Sequence, residues 1–369
     1  MINKFKKIVI KVGSSSIISE KTEKIRIKWL NTLCEDISSL TNDNKKIVIV
    51  SSGAIALGKK VISNNRNIRR LEDKQAAAAV GQIDLVNSWQ KSLNNYKIKS
   101  AQLLLTLNDS EIRRNYLNVR KTISSLHKNN FIPIVNENDT VATEEIRFGD
   151  NDRLAARVAQ MIDADLLIML SDVDGLYTES PLKNKNAKKI TNINIIDSKI
   201  EKMATNQHSK LGSGGMITKI WAAKICMNSG CTTIIANGKK LNPLKNIDTK
   251  NSTWFNASNS PRSSRKQWLM NHLHPSGTII VDNGAIKAIN QNKSLLPAGV
   301  LEINGKFMRG DVISIISNNN KKIGIGVIAY DSHEAKKIVG KNSKDIKSIL
   351  GYEGRDELIH KDDLVKIIL

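Results

Sequence analysis

Two lysines lie in short runs of glycine and hydroxyl residues that suit the binding of phosphate. Lys11 precedes Gly13 and three serines, and Lys219 ends the run 212–219, which begins Gly-Ser-Gly-Gly. Successive backbone amides in such turns can surround phosphate oxygens, and a lysine adds a positive charge. The second run differs from a P-loop, because Thr218 precedes the lysine where a P-loop has glycine. These residues predict phosphate binding at the start of a helix, while a turn with a solvated lysine stays the alternative at Lys11.

Four further turns place carboxylate, amide and hydroxyl groups where predicted strands end or a helix begins. They are residues 51–54 (Ser-Ser-Gly-Ala), 136–139 (Asn-Glu-Asn-Asp), 149–152 (Gly-Asp-Asn-Asp) and 171–177, which begins Ser-Asp-Val-Asp-Gly. Most have an ordinary alternative: the serines of 51–54 can cap a helix, Asp152 can be an N-cap worth about 1 kcal/mol, and Asp-Gly is a common turn. The cluster at 136–139 is harder to explain this way, because a buried strand usually ends in fewer polar groups.

Alternating strand and helix patterns position these turns. Apolar runs predict strands at 8–12, 46–50, 101–105, 131–135, 165–170 and 232–236. Apolar residues spaced by three and four predict helices at 25–40, 75–93, 110–128, 153–163 and 216–229. This alternation is typical of the α/β class, with a mostly parallel central sheet and helices on both faces. Ligands of such sheets bind beyond the carboxyl ends of the strands, where the polar turns lie.

The pattern changes after Gly238. Residues 242–274 are polar and lack clear strand alternation, although 262–273 could form a short helix. Short, glycine-punctuated apolar runs then predict a small β-barrel with strands at 278–281, 300–303, 311–316, 323–329 and 364–368. We therefore expect a first domain at 1–240, a linker at 241–275 and a second domain at 276–369.

The net charge of +22 on 369 residues has two candidate explanations. A nucleic-acid-binding protein concentrates Lys and Arg on the binding domain, whereas a compositional bias spreads Lys through the chain together with Asn and Ile. Residues 276–369 hold 14 Lys and Arg against 11 Asp and Glu, so most of the excess lies on the first 275 residues. The spread favours compositional bias.

Three cysteines, Cys34, Cys226 and Cys231, are too few and too scattered for a disulfide scaffold or a structural zinc site. No apolar stretch approaches the roughly 20 residues that span a bilayer, and the first residues lack the pattern of a signal peptide. His272 and His274 have no cysteine or carboxylate at ligand spacing. We expect a cytoplasmic protein with no membrane segment and no metal held by its own side chains.

Six motifs together resemble the glutamate 5-kinases of the amino acid kinase family. They are residues 11–14, 50–55, 135–139, 149–152, 175–177 and 214–219. The resemblance covers almost the whole chain, including a linker and a C-terminal segment of the PUA type, a small RNA-associated β-barrel. It implies a three-layer αβα amino acid kinase fold. It also implies phosphorylation of the γ-carboxylate of L-glutamate by ATP with Mg²⁺, the first step towards proline.

The same resemblance implies a role for individual residues. Lys11 and Lys219 would act on the phosphoryl group, and Asp152 would hold both lysines. Glutamate would contact Ser52, Gly53, Asn136, Asp139 and Asn151, with Asp139 at its ammonium group. The nucleotide would contact Lys11, Gly13, Ser171, Asp172, Ser213, Gly214, Gly215, Met216, Ile217, Thr218 and Lys219. Ile217 departs from the family pattern, since a small polar residue is common there.

Regulation and assembly are implied in the same way. Inhibition by proline is expected, with the loop 141–148 as its place, and so is a homo-oligomer, either a tetramer or a dimer. Two alternatives stay open: a kinase for N-acetylglutamate, aspartate or a nucleoside monophosphate, and an RNA-binding protein with a kinase-like scaffold. The charge distribution disfavours RNA binding, because the C-terminal part is the less basic one.

Overall fold

The structure is a computed structural model. It describes residues 2–63, 70–141, 151–181, 184, 186–205, 215–261 and 275–366. The chain divides into two compact units, one ending at Pro261 and the other beginning at Arg262.

A mostly parallel sheet forms the centre of the first unit. Within the described residues, eight strands pair in the order β3-β4-β2-β1-β5-β9-β10-β8, and the β9–β10 pair alone is antiparallel. Strands β6 and β7 form a separate hairpin. The strands are Lys7–Val12 (β1), Lys46–Ser51 (β2), Lys99–Leu105 (β3), Phe131–Glu137 (β4), Leu166–Ser171 (β5), Leu176–Tyr177 (β6), Lys189–Ile190 (β7), Asn192–Ile193 (β8), Thr232–Asn237 (β9) and Ser252–Phe255 (β10).

Helices cover both faces of this sheet. Ile8 and Ile10 of β1 belong to one apolar core and Val9, between them, belongs to a second core on the opposite face. Both faces are therefore buried, and the predicted α/β class is confirmed. The helices are Ser14–Ile17 (α1), Ile27–Asn42 (α2), Ala54–Ser63 (α3), Leu71–Asn94 (α4), Leu107–Glu111 (α5), Arg113–Lys128 (α6), Asn151–Met161 (α7), Ser198–Thr205 (α8) and Met216–Asn228 (α9).

Two glycines set the distance between α3 and α4. A Cβ atom on Gly58 would lie 1.8 Å from the carbonyl oxygen of Ala77, and one on Gly81 would lie 1.9 Å from that of Ala54. No side chain fits at either position, so the two helix backbones touch. This contact fixes α4, which carries residues of the site described below.

The predicted linker at 241–275 differs from the structure in its first half. Residues up to 261 belong to the first unit, and the buried carboxylate of Asp36 accepts hydrogen bonds from the backbone amides of Leu244 and Lys245. Strand β10 was missed because all four of its residues are buried, which leaves no polar alternation to detect. The predicted helix at 262–273 lies outside the described residues.

The second unit contains a five-stranded sheet in the order β12-β11-β13-β14-β15. These strands are Gly277–Val281 (β11), Val300–Gly305 (β12), Val312–Ser317 (β13), Lys322–Val327 (β14) and Leu364–Lys366 (β15), close to the predicted runs. Helices Asn283–Asn290 (α10), Ser332–Ile338 (α11) and Ile346–Leu350 (α12) complete the unit. Across the described part of the chain, no helix is both long and apolar enough to cross a membrane.

Candidate active site

The polar turns predicted from the sequence meet at the carboxyl ends of four neighbouring strands, β4, β2, β1 and β5. Lys11 is the last residue but one of β1, and Ser171 is the last residue of β5. Ser52 follows β2, and Asn136 lies near the end of β4. The parallel pairing brings these ends to one edge of the sheet, as expected for this class. Helix α7 begins at the same edge with Asn151 and Asp152, so residues far apart in sequence become neighbours.

Three of these residues form a buried ionic cluster, which we call the charged centre. Asp152 lies between two lysines: its Oδ1 is 2.6 Å from Lys11 Nζ, and its Oδ2 is 3.1 Å from Lys219 Nζ. All three side chains are buried, with 8% of Lys11, 1% of Asp152 and 5% of Lys219 exposed. The cluster holds two positive charges and one negative charge. These three side chains together carry a net positive charge at the sheet edge, which can attract an anion.

The two lysines also set the protonation of Asp152. Burial alone raises the pKa of this carboxyl, but the charges of Lys11 and Lys219 outweigh burial and hold the pKa well below its usual range. The hydroxyl of Thr218 donates a further hydrogen bond of 2.8 Å to Asp152 Oδ2. Asp152 is thus a permanent anion that holds both lysines in place.

Local sequence explains why these groups occupy their positions. Asp152 lies in the first turn of α7, where the helix dipole favours a carboxylate. Gly215 is the N-cap of α9, so Met216, Ile217, Thr218 and Lys219 form its first turn. The hydroxyl oxygen of Thr218, expected at the nucleotide, also lies 2.8 Å from the carbonyl oxygen of Gly215, which is an alternative acceptor for the same hydrogen. Ser213 and Gly214 lie outside the described residues.

A second cluster consists of neutral side chains, and we call it the amide network. The Nδ2 group of Asn151 donates to Ser52 Oγ at 2.7 Å and to Asn136 Oδ1 at 2.9 Å. Asn136 Nδ2 in turn donates to Gln82 Oε1 of α4 at 2.7 Å. Asn136 and Asn151 are buried, with 2% and 7% of their surface exposed. Three predicted residues therefore touch one another, and Gln82 joins them.

The direction of these hydrogen bonds leaves one strong acceptor. Asn151 Nδ2 also faces the carbonyl oxygen of Ser51 at 3.3 Å, so its Oδ1 must point the other way. Among the described residues nothing donates to this buried Oδ1. A buried acceptor without a partner is costly, so this oxygen is a candidate acceptor for an N–H group of a ligand.

Asp139 adds a carboxylate at the end of β4, the strand that carries Asn136. It follows the end of β4 by two residues and is partly buried. Burial raises the pKa of its carboxyl to about 6. Above that pH the group is an anion, and no described cation forms an ion pair with it, so a cationic ligand group would be attracted to it.

The remaining predicted residues line the ends of β1, β2 and β5. The amide of Gly13 donates to the carbonyl of Leu170 at 3.3 Å, and Ser171 Oγ donates to Asp172 Oδ1 at 3.0 Å. Gly53 has a φ of +123°, a conformation that L side chains rarely adopt, which explains why glycine is needed between β2 and α3.

The sequence analysis missed Gln82, and it also missed the contact that holds Ser51, the residue before Ser52. Trp89 Nε1 of α4 donates to Ser51 Oγ at 2.9 Å. The spacing of α4 could have indicated both contacts, because Gln82, Leu85 and Trp89 lie on one side of this helix. Gln82 is the polar residue among these three. Leu85 and Trp89 are fully buried in the core.

Metal ions have a limited set of ligands in this chain. Within the described residues, no group of three or more His, Cys, Asp and Glu side chains is placed to hold one. The lysines of the charged centre occupy both oxygens of Asp152. Phosphate oxygens of a bound substrate are suitable ligands for a divalent ion at this edge.

Comparisons with known proteins show the family of the chain. The model of the amino acid kinase family matches residues 6–237, and that of the PUA domain matches residues 277–350. The chain is 47% identical over 361 residues to glutamate 5-kinase of Paramagnetospirillum magneticum, covering 98% of this chain and 97% of that protein. It is 51% identical over 360 residues to glutamate 5-kinase of Agrobacterium fabrum, covering 97% and 92%.

The match extends along the whole chain and includes both units. A third relative, glutamate 5-kinase of Rhizobium johnstonii, is 48% identical over 365 residues, covering 99% of this chain and 94% of that protein. The resemblance carried by the six motifs is therefore confirmed. The chain is a kinase, and it belongs to the glutamate 5-kinases of the amino acid kinase family, with a PUA domain in its C-terminal unit.

Proposed function

We propose that the protein transfers the γ-phosphoryl group of ATP to the γ-carboxylate of L-glutamate, giving γ-glutamyl phosphate and ADP. The observation that carries this proposal is the charged centre, in which Asp152 holds two buried lysines at the sheet edge. The amide network and Asp139 lie at the same edge and offer acceptors for an amino acid. The names of the curated relatives support the same substrate.

Charge repulsion is the main barrier to this reaction. A glutamate carboxylate oxygen attacks the γ-phosphorus, the bond from that phosphorus to the β–γ bridging oxygen breaks, and ADP leaves with the electron pair. The attacking carboxylate is already ionised, so the enzyme needs no general base. Lys11 and Lys219 neutralise phosphoryl oxygens on the entering and leaving sides. Alignment and charge stabilisation then suffice for catalysis, as in other phosphoryl transfers.

The neutral part of the site would hold the glutamate. Asp139 binds the α-ammonium group by charge, and the unpartnered Oδ1 of Asn151 accepts an N–H from the same group. Ser52 and the backbone at Gly53 line the remaining side. Because these contacts lie away from the transferred phosphoryl group, they contribute to substrate affinity rather than to the chemical step.

Magnesium enters this scheme with its substrate. Bound with ATP, Mg²⁺ would neutralise part of the charge of the phosphates beside Lys11 and Lys219. The nucleotide is held by Gly13, Ser171, Asp172 and the first turn of α9, together with residues 213–214, which lie outside the described part.

The free, buried cysteines Cys34, Cys226 and Cys231 support action in the reducing cytoplasm.

A product assay tests the reaction. We expect glutamate to stimulate ADP release, and hydroxylamine to trap the acyl phosphate as γ-glutamyl hydroxamate. N-acetylglutamate, aspartate and nucleoside monophosphates serve as competing substrates under the same conditions. Activity with aspartate but none with glutamate would overturn the assignment.

We further propose that the reaction is the first step of proline biosynthesis and that proline inhibits it. Val141, at the start of the loop 141–148, follows Asp139 by two residues and is 63% exposed. The rest of that loop lies outside the described residues. Proline is expected to raise the glutamate KM. An unchanged glutamate KM at saturating proline would contradict this control.

Exposed apolar side chains support assembly into a dimer or tetramer. Val61 and Ile62 of α3 and Ile83 of α4 are 64%, 42% and 62% exposed, on two helices that pack together. Light scattering is expected to give a mass of two or four chains.

The near-balanced charge of the PUA domain disfavours RNA binding by this domain. Binding of RNA that persists at physiological salt would reverse that judgement.

A further inference from the structure

Gln82 connects α4 to the amide network without reaching the sheet edge itself. It is half-buried, and its Oε1 accepts a 2.7 Å hydrogen bond from Asn136 Nδ2. We propose that Gln82 is a positioning residue: it fixes the orientation of the Asn136 amide, and through it that of Asn151, and thereby sets the affinity for glutamate. This inference rests on the proposed function and adds to it a residue that no motif contains.

The argument depends on the direction of each hydrogen bond. An asparagine amide has nearly the same shape when turned over, but its oxygen only accepts and its nitrogen only donates. While Gln82 presents Oε1, which can only accept, Asn136 presents Nδ2 on that side, so the two amides hold each other's orientation. Asn136 Oδ1 then faces Asn151 and accepts from its Nδ2 at 2.9 Å. The unpartnered Oδ1 of Asn151 is left as the acceptor for substrate.

Loss of the acceptor at position 82 removes the constraint on Asn136. The Asn136 amide can then turn over, so that its Nδ2 faces the Nδ2 of Asn151. Two donors would then meet, and the hydrogen bond between the two asparagines would be lost. Asn151 is also held by the carbonyl of Ser51, which can only accept. The disturbance is therefore partial, and we expect it to be worth about one hydrogen bond, roughly 1 kcal/mol or fivefold in affinity.

The position of α4 does not depend on Gln82. The close contact of Gly58 and Gly81 with the facing backbone fixes this helix against α3. Leu85 and Trp89 anchor it in the core, with 1% and 0% of their surface exposed. Methionine at position 82 keeps the length and helix propensity of glutamine while removing its acceptor, so this substitution tests orientation rather than packing.

Steady-state kinetics of the full chain test the proposal. Gln82→Met is expected to raise the glutamate KM about fivefold, with kcat and the ATP KM within about twofold of wild type. Gln90→Met is the matched control, because Gln90 lies exposed on the same helix; it should leave all three constants unchanged. Gln82→Ala, which suits a helix equally well, replaces Gln82→Met if that variant does not fold.

A double-mutant cycle separates positioning from a general effect. In an Asn136→Ala background Gln82 has no amide to orient, so adding Gln82→Met should leave the glutamate KM unchanged. A fivefold effect that persists in this background would overturn the proposal, because Gln82 would then act by another route. Equal losses in kcat and in both KM values, with a lower Tm, would show a structural role and overturn it as well.

The failure of this inference can be told apart from failure of the proposed function. If wild type releases ADP with glutamate but the Gln82 variants match it, the inference is wrong and the function stands. If wild type shows no glutamate-dependent ADP release while binding ATP, the proposed function is wrong, and the inference falls with it.

Discussion

The charged centre and the amide network lie at the same sheet edge and work by different physics. The first joins Lys11, Asp152 and Lys219 by ion pairs of 2.6 and 3.1 Å. The second joins Ser52, Asn136 and Asn151 by hydrogen bonds between neutral groups of 2.7 and 2.9 Å. Both are buried, so each interacts in a low-dielectric setting where charge and unsatisfied polar groups have large effects.

This difference suggests a division of labour. A lysine ammonium attracts any phosphate oxygen within reach and demands little of its direction. An amide oxygen acts only along the direction in which it is held. The charged centre therefore suits the changing geometry of a phosphoryl group in transfer, and the amide network suits selection of one substrate. Variants of the first should change kcat, and variants of the second should change the glutamate KM.

The largest effect is expected for Asp152→Asn. Both buried lysines would then lose the carboxylate that joins them, and breaking a buried ion pair in this way costs about 3–5 kcal/mol of folding free energy. Chemical denaturation should show this loss, together with near-complete loss of turnover. Glu201→Gln is the control, because it breaks the exposed pair with Lys224, worth about 0–1 kcal/mol. Equal stability of the two variants would contradict the buried ionic cluster.

Removal of either lysine should mainly affect the chemical step. Lys11→Ala and Lys219→Ala each remove a preorganised charge worth about 2.7–4 kcal/mol, so kcat should fall about 10²- to 10³-fold. The glutamate KM should change little, since neither lysine belongs to the amide network. Lys224→Ala removes an exposed cation from the same helix as Lys219 and should behave like wild type. A rise in glutamate KM without loss of kcat would break the division of labour.

The glutamate side carries one charge whose titration can be observed. Burial raises the pKa of Asp139 to about 6, so the free enzyme loses this anion as pH falls through 6. The glutamate KM should be constant above about pH 7 and rise up to about tenfold per unit below pH 6, because the protonated carboxyl attracts the ammonium group much less. Asp139→Asn should show a high KM with no such pH dependence. An identical profile in this variant would assign the titration elsewhere.

The sequence predicted the elements well where burial leaves a pattern. Strand β1, for instance, has the apolar run Ile8 to Ile10 because both of its faces are covered. The same double burial hid β10, since four residues among polar neighbours give no period. Lys11 and Asn136 could be proposed as site residues because polar side chains are unusual near the end of a buried strand, whereas Asp152 could be proposed only together with them, since a carboxylate is common at the start of a helix.

The partners of these residues could not be predicted. The bond from Asn136 to Gln82 joins positions 54 residues apart, and that from Thr218 to Asp152 joins positions 66 residues apart. Which side of α4 faces β4 depends on the packing of α3 and α4 through Gly58 and Gly81. Periodicity shows that a helix has a buried side but not which strand that side meets.

The smallest effect concerns two adjacent serines, and it tests the division most closely. Ser52 Oγ accepts from Asn151, whereas Ser51 Oγ accepts from Trp89. In Ser52→Ala, Asn151 keeps Asn136 Oδ1 as a partner, so the glutamate KM should rise only about fivefold, the equivalent of roughly 1 kcal/mol, with kcat unchanged. Ser51→Ala should instead lower stability by about 1–3 kcal/mol, since the buried indole N–H loses its acceptor, and leave KM unchanged. If Ser52→Ala lowered kcat with KM constant, the amide network would take part in the chemical step, and the contrast between the two clusters would be one of composition rather than of function.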